Sequence, residues 1–444
     1  MNLKKITTPT IDFFYIDTYD SLDYLMSLFQ KQQLSLLAVD TETYIDISKF
    51  SPSALDPHSS LLSLLQLSDG INVYLISTVE LNNIIHPAIL RLIHEVFLNE
   101  EVKKVMHFAQ FDLQQIKSFF GVWMKNVCCT FNLSKSLGIV NGFKFSNLKG
   151  HSLKDLSRDF YDIHLDKQEA ISQWGIRPLS TSQLIYAALD VGVSKQNKHL
   201  LHNDTHSLLL DLYFILTQAL EDNDQHFCYT TDQLGMIVSA RLEYSGVSVD
   251  KFIIEKVKEE ADRITNENRN FLVSSLGFNV YEELVFNDDG EWELEIIIPD
   301  KVKKTLNNNT SLVAIVNTYL ENNYGSSLDS LQADEIKTYL DSLQKSVEDD
   351  DSSSSSLSSL FDDDYDEIIE GKYENIKLIS ALLKYKRFSK LSSECSKYLT
   401  TINPNTHNIH PSFYSTGAAT GRMSSSGAIN LQQVSNINVT IDLP

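Results

Sequence analysis

Leu36–Thr43 reads LLAVDTET, an apolar run with the look of a buried strand that ends in two carboxylates, Asp40 and Glu42. Side chains alternate across a strand, so acids two positions apart share a face. Acids held side by side repel each other, and burying them is costly unless positive charge sits between them. The plainer account is a strand running into a loop, with one acid capping a helix or facing water. The other is a cation held between the two.

The surrounding chain has 444 residues, 42% of them hydrophobic, enough for two or three domains with proper cores. No window approaches the roughly 18 uninterrupted apolar residues of a membrane span. The first residues, MNLKKITTPTIDFFYIDTYDSL, carry two lysines but neither a long apolar core nor a small-residue cleavage site, which reads as a cytoplasmic or otherwise intracellular protein. The four cysteines (Cys128, Cys129, Cys228 and Cys395) form no CxxC pair and are expected reduced. A net charge of −22 argues at first against nucleic acid. Its distribution softens that: ten acids and no Lys or Arg lie between Glu348 and Glu370. That stretch belongs to a Ser/Asp-rich tract at about 345–371, too polar to fold alone and expected to be a mobile insertion.

Outward from LLAVDTET, residues 12 to about 200 alternate strand-like and helix-like runs. SLLAVDTE, LLSLLQLSD and INVYLIST read as successive strands. AILRLIHEVFLNE, FDLQQIKSFFG and SQLIYAALDVGVSKQNKHLL carry helical spacing. From about 207 the pattern is helical, residues 278–346 read as polar and irregular around a possible strand ELEIIIPD, and a long helix returns in ENIKLISALLKYKRFSKLSSECSKYLTTI.

Three further features bear on Asp40 and Glu42. KVMHFAQFDLQQI places Asp112 at the head of a helix; QLIYAALDV places Tyr186 and Asp190 one helical turn apart, able to face one cavity; and GHSLKDLSRDFYDIHLDKQEAISQWGIRPLS leads in with many Lys and Arg. Asp40, Glu42, Asp112 and Asp190 in this order, with Tyr186, resemble the DEDD 3′–5′ exonucleases in their tyrosine variant. The resemblance spans about 180 residues and includes HSLKDL and RPLS…YAALDV. It implies an α/β ribonuclease H-like domain, a mixed sheet flanked by helices, over residues 1–205. It also implies two divalent ions, Mg²⁺ or Mn²⁺, which favour carboxylate oxygens. Asp40 would bridge the ions, Glu42 and Asp190 would complete the nucleophile side, Asp112 would anchor the other, and Tyr186 would orient the attacking water. One position departs from the family: Phe108 stands where Asn is common.

The second half extends the resemblance. LGMIVSARLEYSGVSVD, LLKYKRFSKLSS and INPNTHNIHPSFYSTGAATGRMSSSGAINLQQV resemble the start, thumb and thumb-to-palm passage of family A DNA polymerases. The resemblance implies a mostly helical thumb-like region over 206–400 and an incomplete palm over 401–444, the family's further polymerase carboxylates not being found. Lys384, Lys386, Arg387, Lys390 and Lys397 would lie along a thumb-like helix, a phosphate-tracking surface or simply a solvated face. Arg422 would reach the minor groove near a primer terminus, and Asn430 and Gln432 would contact template–primer DNA. The expectation is a proofreading-type exonuclease acting on DNA, nucleoid-associated within the cell. Two alternatives stand beside it: an N-terminal subunit that docks a separate C-terminal polymerase half, and a ribonuclease D-like enzyme trimming RNA.

Overall fold

The computed structural model describes residues 3–45, 54–137, 150–279, 281–286, 292–324, 327–328, 338, 374–415, 422–427, 429–434, 437 and 439–441. The Ser/Asp-rich tract at 345–371 lies outside them, as does most of TGAATGR. The chain divides into two compact units, one of Met1–Ser248 with Asn403–Gln432, the other of Val249–Ile402 with Gln433–Pro444.

In the first unit seven strands form a mixed sheet: β1 (Lys4–Ile6), β2 (Phe13–Ile16), β3 (Leu36–Ile45), β4 (Ser60–Ser68), β5 (Val73–Ser77), β6 (Lys103–Met106) and β7 (Val127–Cys129), in the spatial order β1-β2-β5-β4-β3-β6-β7. LLAVDTET lies on β3, between antiparallel β4 and parallel β6. The strand is buried on both faces, which is why its apolar run is continuous rather than alternating. Leu37 and Val39 pack into one core with α1 (Tyr19–Gln32), α2 (Pro87–Arg91) and α3 (Ala109–Phe120). Ala38 joins a second core with α4 (Thr130–Leu137), α5 (Leu153–Tyr161), α6 (Thr181–Val191) and α7 (Leu208–Asp222). The mixed sheet flanked by helices is the architecture expected from the sequence.

A β-bulge sits where β3 leaves the acids. Glu42 faces Leu64 and Thr43 faces Leu62, so Ser63 is the extra residue on β4. Freed from the ladder, Ser63 anchors the loop that precedes α6. Its hydroxyl donates to Trp174 O at 2.6 Å, and its carbonyl accepts from Arg177 Nη2 at 3.0 Å.

Two sequence expectations need correction. Residues 278–346 are not simply irregular. A hairpin of β9 (Tyr281–Phe286) and β10 (Trp292–Ile297) is followed by α10 (Asp300–Asn307) and α11 (Asn309–Tyr324). In α11 the buried Leu312, Val316 and Leu320 recur every four residues, one stripe of a helix among polar neighbours. Second, α7 and α8 (His226–Ser245) pack with the first unit rather than with a region beginning at 206. The apolar stripe of α7, including Leu208, Leu212 and Leu216, completes the second core. The first unit also holds β11 (Asn408–Ile409), paired with β8 (Val247–Ser248).

In the second unit α9 (Lys251–Ser275) packs along α12 (Glu374–Thr401). Leu272, Leu306, Leu312, Leu382 and Tyr385 are part of its core.

Candidate active site

Asp40 and Glu42 project from the same face of β3, and α6 covers that face. The carboxylate oxygens of Asp40, Glu42 and Asp190 lie within 4.8 Å of one another. The register of α6 is set at both ends. Ser180 and Gln183 form a reciprocal capping box at its start. At its end, a Cβ on Gly192 would come within 2.8 Å of Ile11 and Val73 side-chain atoms, so only glycine lets the helix end settle on the sheet. Tyr186 lies one turn before Asp190 on the same helix.

Asp112 comes from the first turn of α3, beyond the end of β6, where a helix N-terminus favours an acid. Its Oδ1 accepts a 2.6 Å hydrogen bond from Thr41 Oγ1. Thr41 lies between the two acids of β3 and therefore points to the opposite face, the one α3 packs against. The sequence reading passed over it, although strand alternation inside D-T-E was the available signal.

Lys167, in the loop between α5 and α6, was also missed. Its Nζ lies 2.8 Å from Asp190 Oδ1 and 3.3 Å from the Tyr186 hydroxyl. The Lys- and Arg-rich lead-in was noted, but nothing in a loop sequence singles out which lysine turns inward.

The electrostatics follow from crowding. Burial and the neighbouring charges of Asp112, Asp190 and Glu42 push the Asp40 carboxyl well above the usual carboxylate range. Burial and Asp190 do the same to Glu42. Asp112 is pushed up to about 7, chiefly by burial, against the opposing hydrogen bond from Thr41. Burial raises Asp190 despite Lys167. Burial alone would lower Lys167, but the charges of Asp190, Asp40 and Glu42 outweigh it and hold the ammonium charged.

The donor set fits hard divalent cations: carboxylates only, gathered where their mutual repulsion needs a counter-charge. A second observation agrees. Gln66 stands directly opposite Asp40 across the β3–β4 pair and is fully buried, yet neither of its side-chain amide atoms has a hydrogen-bond partner. Such an orphaned amide beside a carboxylate cluster is the kind explained by a bound water or ion.

The other sequence-selected residues lie elsewhere. On α12, Lys386 is half-buried with Nζ 3.4 Å from Leu306 O, and Lys390 is exposed and paired with Glu394 at 3.7 Å. Lys384 and Arg387 are half-buried, and Lys397 is exposed. Arg422 is exposed. Asn430 Oδ1 accepts from Gln432 N, and Gln432 bonds Ser425 N and Met423 O, so both fasten the turn beyond β12 (Ser424–Ser426).

Comparison with known proteins supplies the class. Residues 13–205 match the 3′–5′ exonuclease family, and residues 335–441 match DNA polymerase family A. The exosome complex exonuclease RRP6 of Saccharomyces cerevisiae is 29% identical over 130 residues, 29% of this chain and 16% of the yeast protein. Ribonuclease D of Musicola paradisiaca is 28% identical over 176 residues, 40% of either chain. DNA polymerase I of Caldicellulosiruptor bescii is 35% identical over 69 residues, 15% of this chain and 8% of the polymerase. The matched stretches thus span between 8% and 40% of the length of these relatives. Among solved structures, the POL domain of Pol1 from M. smegmatis, in complex with DNA primer-template and dNTP, shares the fold with a TM-score of 0.56 at 15% identity, over 94% of this chain and 55% of that one. The first unit therefore carries a 3′–5′ exonuclease domain of ribonuclease H-like architecture. Residues 335–441 carry the match to DNA polymerase family A, and the solved polymerase domain shares the fold.

Proposed function

We propose that the chain is a metal-dependent 3′–5′ exonuclease of the proofreading type, hydrolysing DNA from the 3′ end to nucleoside monophosphates. The observation that carries this is the carboxylate gathering: Asp40, Glu42 and Asp190 within 4.8 Å, with Asp112 fastened alongside by Thr41. Asp40, Glu42, Asp112 and Asp190 would hold two Mg²⁺ or Mn²⁺ ions. When bound, such ions supply an activated water and stabilise the leaving oxygen. The protein's own part is positioning. The Tyr186 hydroxyl orients the attacking water from one turn before Asp190. Lys167, bridging Tyr186 and Asp190, keeps both on the same side of the site. Arg422 would reach the minor groove near a primer terminus, Asn430 and Gln432 would contact template–primer DNA, and the basic residues of α12 would track phosphates.

The matches to RRP6 and ribonuclease D favour a second reading, RNA trimming. The polymerase family region at 335–441 favours DNA. Equal amounts of 5′-labelled single-stranded DNA and RNA of one sequence, incubated separately with Mg²⁺, separate the two. The DNA is expected to shorten at least as fast as the RNA; shortening of RNA alone would replace the DNA reading.

A further inference from the structure

We propose that α6 carries, on the side turned away from the sheet, a binding site for a small organic cation with an aliphatic body, of the polyamine class. A cavity of about 440 Å³ lies there, walled by α6, by the 163–169 loop that follows α5, and by the 192–197 stretch that follows α6. That volume is in the range of sites that hold small molecules. Ser182, Ile185 and Leu189 line it. At about 100° per residue they stand opposite Ala187 and Val191, which are buried in the second core. The cavity touches Tyr186 and Asp190 but neither Asp40 nor Glu42, so it adjoins the carboxylate site without being part of it.

The walls select the occupant. Ile163, Leu165, Ile185 and Leu189 offer aliphatic surface. Asp166 and Glu169 bring carboxylates, and no Lys or Arg is among the residues that line the cavity. Lys167, between those two acids in sequence, turns its ammonium to Asp190 at 2.8 Å instead. A phosphate would therefore meet negative charge without a counter-ion, which excludes nucleotides and the DNA strand itself. A flat heterocycle would need a free aromatic face, yet the Tyr186 ring already has the Lys167 ammonium over it, 5.1 Å from its centre. A methylene chain bearing ammonium groups meets both conditions. Its methylenes bury against the aliphatic walls, and its ammonium groups donate to Asp166, Glu169 and the side-chain carbonyls of Gln168 and Asn197. An occupant would also fix the loop from which Lys167 reaches Asp190, and so alter hydrolysis at the carboxylates. That consequence rests on the exonuclease reading above; the binding does not.

The test titrates spermidine into the full chain by isothermal calorimetry, at about 0.15 M salt to screen diffuse attraction to an acidic protein. One saturable site is expected. The double variant Asp166→Asn with Glu169→Gln should weaken it by at least roughly tenfold, because two charge-assisted hydrogen bonds lose their charge. Leu189→Trp, which fills the cavity at unchanged net charge, should abolish it. The absence of a saturable site, or wild-type affinity in the double variant, would overturn the proposal, as would wild-type affinity in a Leu189→Trp chain. If Leu189→Trp melts well below the wild type, the double variant, which alters only loop side chains, still decides. Hydrolysis of thymidine 5′-p-nitrophenyl phosphate with Mn²⁺ reads the coupling. Saturating spermidine should change the rate of the wild type and leave that of the double variant unchanged; an unchanged wild-type rate would overturn the coupling. No hydrolysis at all would count against the exonuclease reading, while the calorimetry still decides the cavity.

Discussion

At the scale of single residues, the site rests on one strand sending neighbours to opposite faces. Asp40 and Glu42 meet Asp190 on one side, while Thr41 reaches Asp112 on the other. This geometry has a consequence for pH. Asp112 titrates at about 7 in the fold against an ordinary 3.8, and burial raises Asp40, Glu42 and Asp190 as well. The folded chain therefore holds these protons more tightly than the unfolded chain does. The stability they contribute is fully present below about pH 4 and is lost as pH rises through about 7. In excess chelator, the melting temperature is accordingly expected to fall between about pH 5 and pH 8, and Asp112→Asn should flatten that fall. Added Mg²⁺ or Mn²⁺ at about pH 8 should raise it again, because an ion that binds only the native cluster stabilises it. A melting temperature that rises with pH in chelator would contradict the burial of these acids.

At the scale of elements, α3 is clamped from behind. Gln110 and Gln114, one turn apart and flanking Asp112, bond Phe413 O at 3.0 Å and Glu243 Oε2 at 2.6 Å. Glu243, on α8, also accepts from Phe413 N, so one carboxylate joins α3, α8 and the 403–432 segment. Glu243→Ala leaves buried donors without partners and should cost about 1–3 kcal/mol, read as a lower urea midpoint at unchanged slope. A midpoint within error of wild type would mean that the clamp is slack. Much of this scale was legible beforehand. The apolar runs of β3, β4 and β5 and the helical spacing of α3 and α6 are long enough to show their periods, and they carry all four acids and Tyr186. Short or aperiodic features were not. The strands β6 and β7, at four and three residues, are too brief to display alternation. Lys167 and Arg177 act from a loop, where sequence gives no phase. Gln66 looks like one polar residue in an apolar strand until the register sets it opposite Asp40.

At the scale of the whole molecule, a net charge of −22 must be reconciled with binding a polyanion. Phosphate contact depends on local positive charge, and each neutralised phosphate steepens the salt dependence of duplex binding by about 0.9. Lys390 and Lys397 on α12 are exposed. If they track phosphates, replacing both with Ala should flatten the log–log salt slope for primer–template DNA by up to about two units. An unchanged slope would mark α12 as a solvated face. The central claim, however, concerns the carboxylates, and one experiment addresses it most directly. A 5′-labelled single strand of DNA is incubated with the purified chain and Mg²⁺ or Mn²⁺, and its products are resolved by length beside those of Asp40→Ala. The account predicts a ladder of labelled strands shortening stepwise from the 3′ end, abolished by excess chelator and reduced by at least roughly 10³-fold in Asp40→Ala. A ladder that persists in chelator or in Asp40→Ala, or label released as a mononucleotide from the 5′ end, would contradict it.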